Sequence, residues 1–307
     1  MIDYNRLVQE LRGQFPALDI REWEPMNRHT TFRVGGKVRV FLRPASVEEI
    51  VGVCGLLRDA GVRPFVMGRG SNLLVTDEDL EGVVIQLAEN FSHCSREGET
   101  GLYAQAGATL VRLAREAQSY GLTGMEFAGG IPGAVGGGVS MNAGAYGGEL
   151  KDVVVRVDYL DENLELRSAS GEECAFRYRG SAFSDTKKIV LGALLQLQAS
   201  DVATVEARME ELKAKRVKSQ PLEYPSAGST FKRPVGGYAA AMIDEAGLKG
   251  YAVGGAQVSE KHAGFVINRG GATCADVLEL MDHIRSTVFD RTGITLEAEV
   301  KIIKSLD

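Results

Sequence analysis

The chain has no apolar run approaching the roughly 20 residues that a membrane-spanning helix needs. Its first residues, MIDYNRLVQELRG, carry charges where a secretory signal would be apolar. Both absences predict a cytoplasmic protein with no membrane association. Cysteine is sparse, and Cys54, Cys94, Cys174 and Cys274 stand singly with no CxxC, which argues against a disulfide framework. His29, His93, His262 and His283 form no pair at ligand spacing, so no metal is expected. Equally missing are a GxGxxG that follows a strand and opens a helix, a GxxxxGK[ST] and a GxSxG. Their absence removes the Rossmann dinucleotide fold, the Walker A loop and the acylating serine hydrolase. The net charge of −6 offers no general attraction for nucleic acid, but it leaves room for small anions held by local N–H groups and single cationic side chains.

What the chain does have is glycine. Of its 37 glycines, ten fall between Gly124 and Gly148 in GMEFAGGIPGAVGGGVSMNAGAYGG. A flexible linker would favour Ser, Pro and charge, whereas Phe127, Ile131, Val135, Val139, Met141 and Tyr146 call for burial. Glycine in such density weakens any regular element, yet it lets backbone N–H groups press against a ligand, and the pyrophosphate of a large cofactor is the expected occupant. A second glycine turn, GRGSN at Gly68–Asn72, adds the Ser71 hydroxyl and the Asn72 amide. Alone it could be an ordinary turn between strands; together with GGIPG at Gly129–Gly133 it points to a cofactor with two phosphates.

At 307 residues and 44% hydrophobic, the chain is long enough for two or three domains with ample core. Ser46 and Glu49 form a capping-box pattern ahead of Ile50, Val53, Cys54 and Leu57, a helix closed by Gly61 and Pro64. Pro64–Met67, GRGSN and Leu73–Val75 read as strand, turn, strand. Further strands are expected at Val83–Leu87, Leu102–Ala106, Val153–Leu160 and Ile189–Leu197, with helices at Thr109–Tyr120 and Asp201–Ser219. The last hundred residues read as a small α+β domain: a helix at Ala239–Ala246, strands near Tyr251–Val258 and Ala263–Asn268, an amphipathic helix opened by the Thr273 and Asp276 capping box, and a strand at Thr295–Ile303. A boundary near residue 200 is expected, giving domains 1–200, split internally near 90–100, and 201–307.

Three further segments could carry chemistry. FRYRGSAF sets Arg177, Tyr178, Arg179 and Ser181 together, a group able to grip a carboxylate, although solvated arginines on a strand edge account for this motif better when it is taken alone. PSAGSTFKRP places Ser229 in a tight turn ahead of Lys232 and Arg233, where it is either a turn hydroxyl or a group that meets an anionic substrate. In the final strand Glu297 and Glu299 share a polar face, and spacing does not choose between them.

The strings GRGSN, GIPGAVGGGVSMNAGAYGGE, YRGS, PSAGSTFKRP and LEAEV, in that order, resemble the UDP-N-acetylenolpyruvoylglucosamine reductase family, in the shorter of its two forms. The resemblance runs from Asn27 to Ile303. It implies an α+β fold, with an FAD-binding domain of the vanillyl-alcohol oxidase type, built from two α+β subdomains, and a C-terminal α+β substrate-binding domain. By resemblance, non-covalent FAD would lie along Gly68, Arg69, Gly70, Ser71, Asn72 and Leu73, along Gly129, Gly130, Ile131, Pro132 and Gly133, and near Asn142, Ala143, Gly144, Tyr146 and Gly147. NADPH would be the co-substrate and UDP-N-acetylglucosamine enolpyruvate the substrate, reduced by hydride at C3 and a proton at C2 to UDP-N-acetylmuramate, a step of bacterial peptidoglycan synthesis. Ser229 matches the proton donor, and Arg179 and Glu299 match the residues that polarise the carboxylate, which requires Glu299 to share a proton. Tyr178, Lys218, Lys232 and Arg233 are the candidates for substrate binding. Neither glycine loop holds a histidine for a covalent flavin bond, and the protein is expected to act as a monomer. Ala134, where the family usually has Ser or Thr, and Gly138, where Ala is more usual, depart from the pattern. An oxidase of the same fold or a non-catalytic flavin or nucleotide-sugar module are the alternatives; neither would need Ser229 or Glu299.

Overall fold

The computed structural model describes residues 2–306, which fall into two compact units. The first comprises residues 1–21, 40–69 and 83–216, and the second residues 22–39, 70–82 and 217–307. The chain passes between them inside the strands Asp19–Pro25, Lys37–Arg43 and Leu80–Gln86.

The first unit holds helices α1 (Tyr4–Gln14), α2 (Val47–Asp59), α3 (Leu110–Ser119), α4 (Val135–Met141) and most of α5 (Val202–Ser219). Ser46 caps α2 by accepting from the Glu49 N–H at 3.1 Å, but the Glu49 carboxylate takes the Ala45 N–H at 2.7 Å, so the expected reciprocal box is shifted by one residue. Five antiparallel strands form its larger sheet, in the order Leu166–Ser170, Val154–Leu160, Ile189–Gln196, Gly101–Gln105 and Cys94–Glu97. The central strand, IVLGALLQ, is apolar on both faces because the sheet is covered there, α4 packing against it. Phe65–Met67 runs parallel to Val84–Gln86 in a separate sheet. One continuous core joins Leu11, Ile50, Phe91, Leu110, Val139 and Leu195.

Glycine-rich sequence hides a helix. Within Val135–Met141 three successive glycines oppose helix formation by propensity, at about 1 kcal/mol each relative to alanine. Two of them are tolerated because the helix backbone is pressed in: a Cβ on Gly136 would stand 2.9 Å from the Ala106 Cβ, and one on Gly138 3.0 Å from Leu150 Cδ1, whereas Gly137 has open space. Close packing outweighs propensity.

The second unit has its own core, in which Phe32, Val34 and Leu74 join Ile243, Met281 and Val288. It contains α6 (Ala239–Glu245), α7 (Cys274–Thr292) and a three-stranded antiparallel sheet of Ala252–Val253, Ala256–Val258 and Val266–Asn268. The expected capping box at Thr273 and Asp276 is present, and the Asp77 carboxylate adds two bonds, from the N–H groups of Cys274 at 2.7 Å and Ala275 at 3.0 Å. Leu73–Val75 pairs in parallel with Lys301–Ile303. GRGSN is therefore strand, turn, strand as expected, but no hairpin: its two flanking strands pair with different partners.

The expected strand Thr295–Ile303 is regular only over Lys301–Ile303. Before it, Phe231 bridges Ala298, the Lys232 N–H donates to the Glu297 carbonyl at 2.8 Å, and the N–H groups of Glu299 and Val300 both turn to the Thr230 carbonyl, at 2.8 and 3.5 Å. Two residues facing one break the ladder as a bulge does. No helix among the described residues is long and apolar enough to cross a membrane.

Candidate active site

In the first unit the two glycine loops meet. A Cβ added to Gly68 would stand 3.0 Å from the Ala134 Cβ, and the Gly68 carbonyl accepts from Gln86 Nε2 at 3.1 Å. The bend after GGIPG is fixed by Leu110 N–H to the Gly133 carbonyl at 3.0 Å and by Val135 N–H to the Ala108 carbonyl at 2.8 Å. Glu126 sets the approach to it, accepting from Thr123 Oγ1 at 2.6 Å and from the Gly124 N–H at 2.8 Å. Against this firm scaffold, the N–H groups of Arg69, Gly133 and Ala134 donate to no acceptor among the described residues. Arg69 Nη1 pairs with Glu89 Oε1 at 2.8 Å, and Arg43 holds the other oxygen at 3.0 Å. The Glu89 carboxyl lies below its ordinary range, first through its own backbone N–H and then, against burial, through the charges of Arg69 and Arg43.

Gly144–Ala145 and Gly148–Glu149 form a two-residue hairpin around Tyr146 and Gly147, whose φ values of 53° and 88° are the left-handed pair that such a turn needs. Arg216 of α5 lies over the Tyr146 ring at 5.7 Å, and a Cβ on Gly130 would stand 2.6 Å from its Nε. Burial lowers the Arg216 pKa, and the charge and hydrogen bond of Tyr146 oppose that shift. Glu126, Phe127, Gly129, Gly130, Tyr146 and Arg216 line a small cleft. No sequence motif singles out this arginine, which lies in the charged helical segment Asp201–Ser219, outside the glycine loops. Its spacing from Met209 and Leu212, seven and four residues away, puts it on the face that turns inward.

YRGS sits in a tight turn closed in both directions, Arg177 N–H to the Gly180 carbonyl at 2.9 Å and the reverse at 3.1 Å. Arg179 takes the left-handed φ of 53°, which costs a non-glycine residue about 1–2 kcal/mol. The turn bears that strain because its base is anchored. Ser181 Oγ donates to the Ser140 carbonyl at 3.0 Å, and Asn142 Nδ2 donates to the Arg177 carbonyl at 3.3 Å. Asn142 is buried, has φ 45° at the end of α4, and also binds Glu149 Oε2 at 2.6 Å and the Lys151 N–H at 3.0 Å. Its side chain is spent inside the protein, joining α4 to the arginine turn. Tyr178 is exposed, with the Arg179 guanidinium 5.3 Å from its ring centroid.

In the second unit, Ser229 and Glu299 lie on adjoining segments, since the Glu299 N–H binds the carbonyl of Thr230. Thr230 is buried; its Oγ1 accepts from the Val266 N–H at 3.0 Å and its N–H donates to the Gly264 carbonyl at 2.9 Å. Ser229 is half-buried, and its hydroxyl has no hydrogen bond among the described residues. The two glutamates differ in exposure: Glu297 is on the surface, paired with Lys232 Nζ at 3.3 Å, whereas Glu299 is half-buried. Asn72 joins this cluster, its Nδ2 donating to the Glu299 carbonyl and its own carbonyl accepting from the Lys301 N–H, both at 2.9 Å. Gly70 has φ 61°, and Gly70 and Ser71 keep N–H groups without acceptors among the described residues. Lys218 is exposed, and Arg233 lies over the Tyr238 ring at 3.8 Å.

Comparison with known proteins matches both halves of the chain. A family model described as UDP-N-acetylenolpyruvoylglucosamine reductase, C-terminal domain, covers residues 220–303, and one described as FAD binding domain covers residues 38–170. The chain is 47% identical over 280 residues to a UDP-N-acetylenolpyruvoylglucosamine reductase of Caldanaerobacter subterraneus subsp. tengcongensis, covering 91% of this chain and 92% of that one. To its counterpart from Syntrophomonas wolfei it is 45% identical over 297 residues, covering 97% and 99%. Among solved structures, the UDP-N-acetylenolpyruvylglucosamine reductase of Thermus caldophilus superposes with TM-score 0.79 at 35% identity over 93% of this chain and 98% of its own. An alkyldihydroxyacetonephosphate synthase, at TM-score 0.50 and 16% identity over 64% of this chain and 41% of its own, shares the fold alone.

Proposed function

The chain belongs to the UDP-N-acetylenolpyruvoylglucosamine reductase family and is an FAD-dependent oxidoreductase, and from that membership we propose that it reduces UDP-N-acetylglucosamine enolpyruvate to UDP-N-acetylmuramate with NADPH, for bacterial peptidoglycan synthesis. The fold is the expected α+β one, an FAD-binding domain of the vanillyl-alcohol oxidase type with a C-terminal α+β domain.

The first unit's residues fit the cofactor. Two glycine loops in contact at Gly68 and Ala134 present unspent N–H groups at Arg69, Gly133 and Ala134, which is the donor set that a pyrophosphate takes up. When bound, FAD supplies a hydride, taken from NADPH, to C3 of the enolpyruvyl ether. Hydride arrival at C3 leaves negative charge at C2, delocalised into the carboxylate as an enolate. Arg179 stabilises it by charge pairing from the closed YRGS turn. Glu299 shares a proton with the same carboxylate. Ser229 carries the proton for C2, relayed from water or a neighbour because an alcohol is a weak acid. The observation that carries this reading is the half-buried Ser229 hydroxyl, without a hydrogen bond among the described residues, on a segment tied to that of Glu299.

The test is visible absorbance under anaerobic conditions, with NADPH and then the enolpyruvyl UDP-sugar added in turn. Bleaching by NADPH and recovery with the enol ether is the expected course; recovery with oxygen alone would favour an oxidase.

Ala134 caps α4 with no side-chain hydrogen bond. Ala134→Ser supplies the missing oxygen, worth about 1 kcal/mol at an N-cap. Thermal melts of the apoprotein should therefore show the serine protein more stable by about 1 kcal/mol.

A further inference from the structure

Ser229 sits in a turn with little to stiffen it. Gly228 has φ 76° and nothing within 4 Å of where a Cβ would be, and its N–H reaches Ser226 Oγ at a long 3.4 Å. One end of the turn is fixed at Thr230 and the other at Pro225, whose carbonyl accepts the Asn268 N–H at 2.9 Å. Between those ends a side chain enters from far away in sequence. Thr31 Oγ1 donates to the Ser226 carbonyl at 2.7 Å across 195 positions. The backbone N–H of Thr31 also donates to the Gly70 carbonyl at 3.3 Å. One residue therefore grips both the GRGSN turn and the turn that bears Ser229. Its own position is secure: the adjacent Phe32 is buried in the core, and the Phe32 carbonyl accepts Asn268 Nδ2 at 3.1 Å.

We infer that Thr31 is a positioning residue for Ser229, setting the height of the serine turn against the cofactor turn through its hydroxyl. The inference rests on the proton-donor reading of Ser229. A plain structural role would show as loss of stability or of FAD; a positioning role shows in the step that uses the Ser229 proton. Misplacing a reacting group by about 1 Å costs on the order of 100-fold in rate, and release of one hydrogen bond should give a part of that, about tenfold.

The experiment is stopped-flow absorbance of the FAD-loaded Thr31→Val, Thr31→Ala and Thr31→Ser proteins, following flavin reduction by NADPH and then reoxidation by the enolpyruvyl UDP-sugar. Thr31→Val should bind FAD and be reduced by NADPH within about twofold of the wild type, while reoxidation slows about tenfold and its solvent deuterium isotope effect rises. Thr31→Ser, which keeps the donor, should recover most of the rate. Should the valine protein fail to retain FAD, the alanine protein, which adds no bulk, is measured in its place; failure of both to retain FAD overturns the inference. Equal slowing of both half-reactions, unchanged reoxidation, or a serine variant as slow as valine overturns it too. A wild-type protein that the enol ether cannot reoxidise would instead sink the parent reading.

Discussion

Replacing Ser229 with alanine is expected to leave the flavin reducible by NADPH at close to the wild-type rate and to slow its reoxidation by the enolpyruvyl UDP-sugar by about 10²–10⁴-fold, the usual worth of a positioned proton donor. The two half-reactions separate because only the second needs a proton at carbon. Stability should hardly change, since the hydroxyl makes no hydrogen bond among the described residues and its removal leaves no buried group without a partner. Melting temperature, FAD affinity and the reductive rate thus serve as internal controls. If both half-reactions fell together, Ser229 would be acting in binding or folding and the proton-donor assignment would fail.

How the chain advertised this site depends on the range of the interactions involved. Local chemistry was readable: the Thr273 and Asp276 capping box, Ser46 ahead of α2, and the alternation of strand and helix around Leu102 and Thr109 rest on neighbours within four positions, and each is present. The Val135–Met141 helix was not readable, because its glycines argue against a helix and the packing that forces one comes from Ala106, Leu110 and Leu150. Nor could periodicity show that residues 22–39 and 70–82 join the C-terminal residues, a grouping made by pairings such as Lys301 with Leu73.

The same limit applied to individual side chains. Glu297 and Glu299 share one spacing and differ only in what covers them, so the surface ion pair of Glu297 with Lys232 was invisible until the fold was known. Asn142, read from its motif as a neighbour of the cofactor, has its amide committed to Glu149, Lys151 and Arg177. Its left-handed φ explains why an Asn suits that position, since Asn tolerates the region better than most side chains. Thr31 and Arg216 drew no notice because neither stands in a glycine loop, yet each reaches one.

Gly70→Ala is expected to be the most damaging single substitution in the GRGSN turn. At φ 61° alanine already bears a left-handed cost of about 1–2 kcal/mol. Its Cβ would also stand 2.2 Å from the His29 carbonyl oxygen and 2.9 Å from Thr30 Cα, backbone atoms that cannot swing aside as a side chain could. The neighbouring Thr31 N–H bond to Gly70 would be forced open in relieving the contact. Together these place the cost at about 3 kcal/mol or more, which should appear as a lower melting temperature of the apoprotein, with FAD binding weakened as the turn moves to relieve the contact. A matched control is Gly137→Ala, where the added carbon meets nothing within 4 Å and the residue lies inside α4. There the better helix former should raise the apoprotein's stability by about 0.5–1 kcal/mol. Isothermal titration with FAD and thermal melts of the two apoproteins would check the pair. A Gly70→Ala protein that bound flavin normally would mean that the turn can move away from His29 at little cost, and the rigid placement of the Thr31 bridge would lose its foundation.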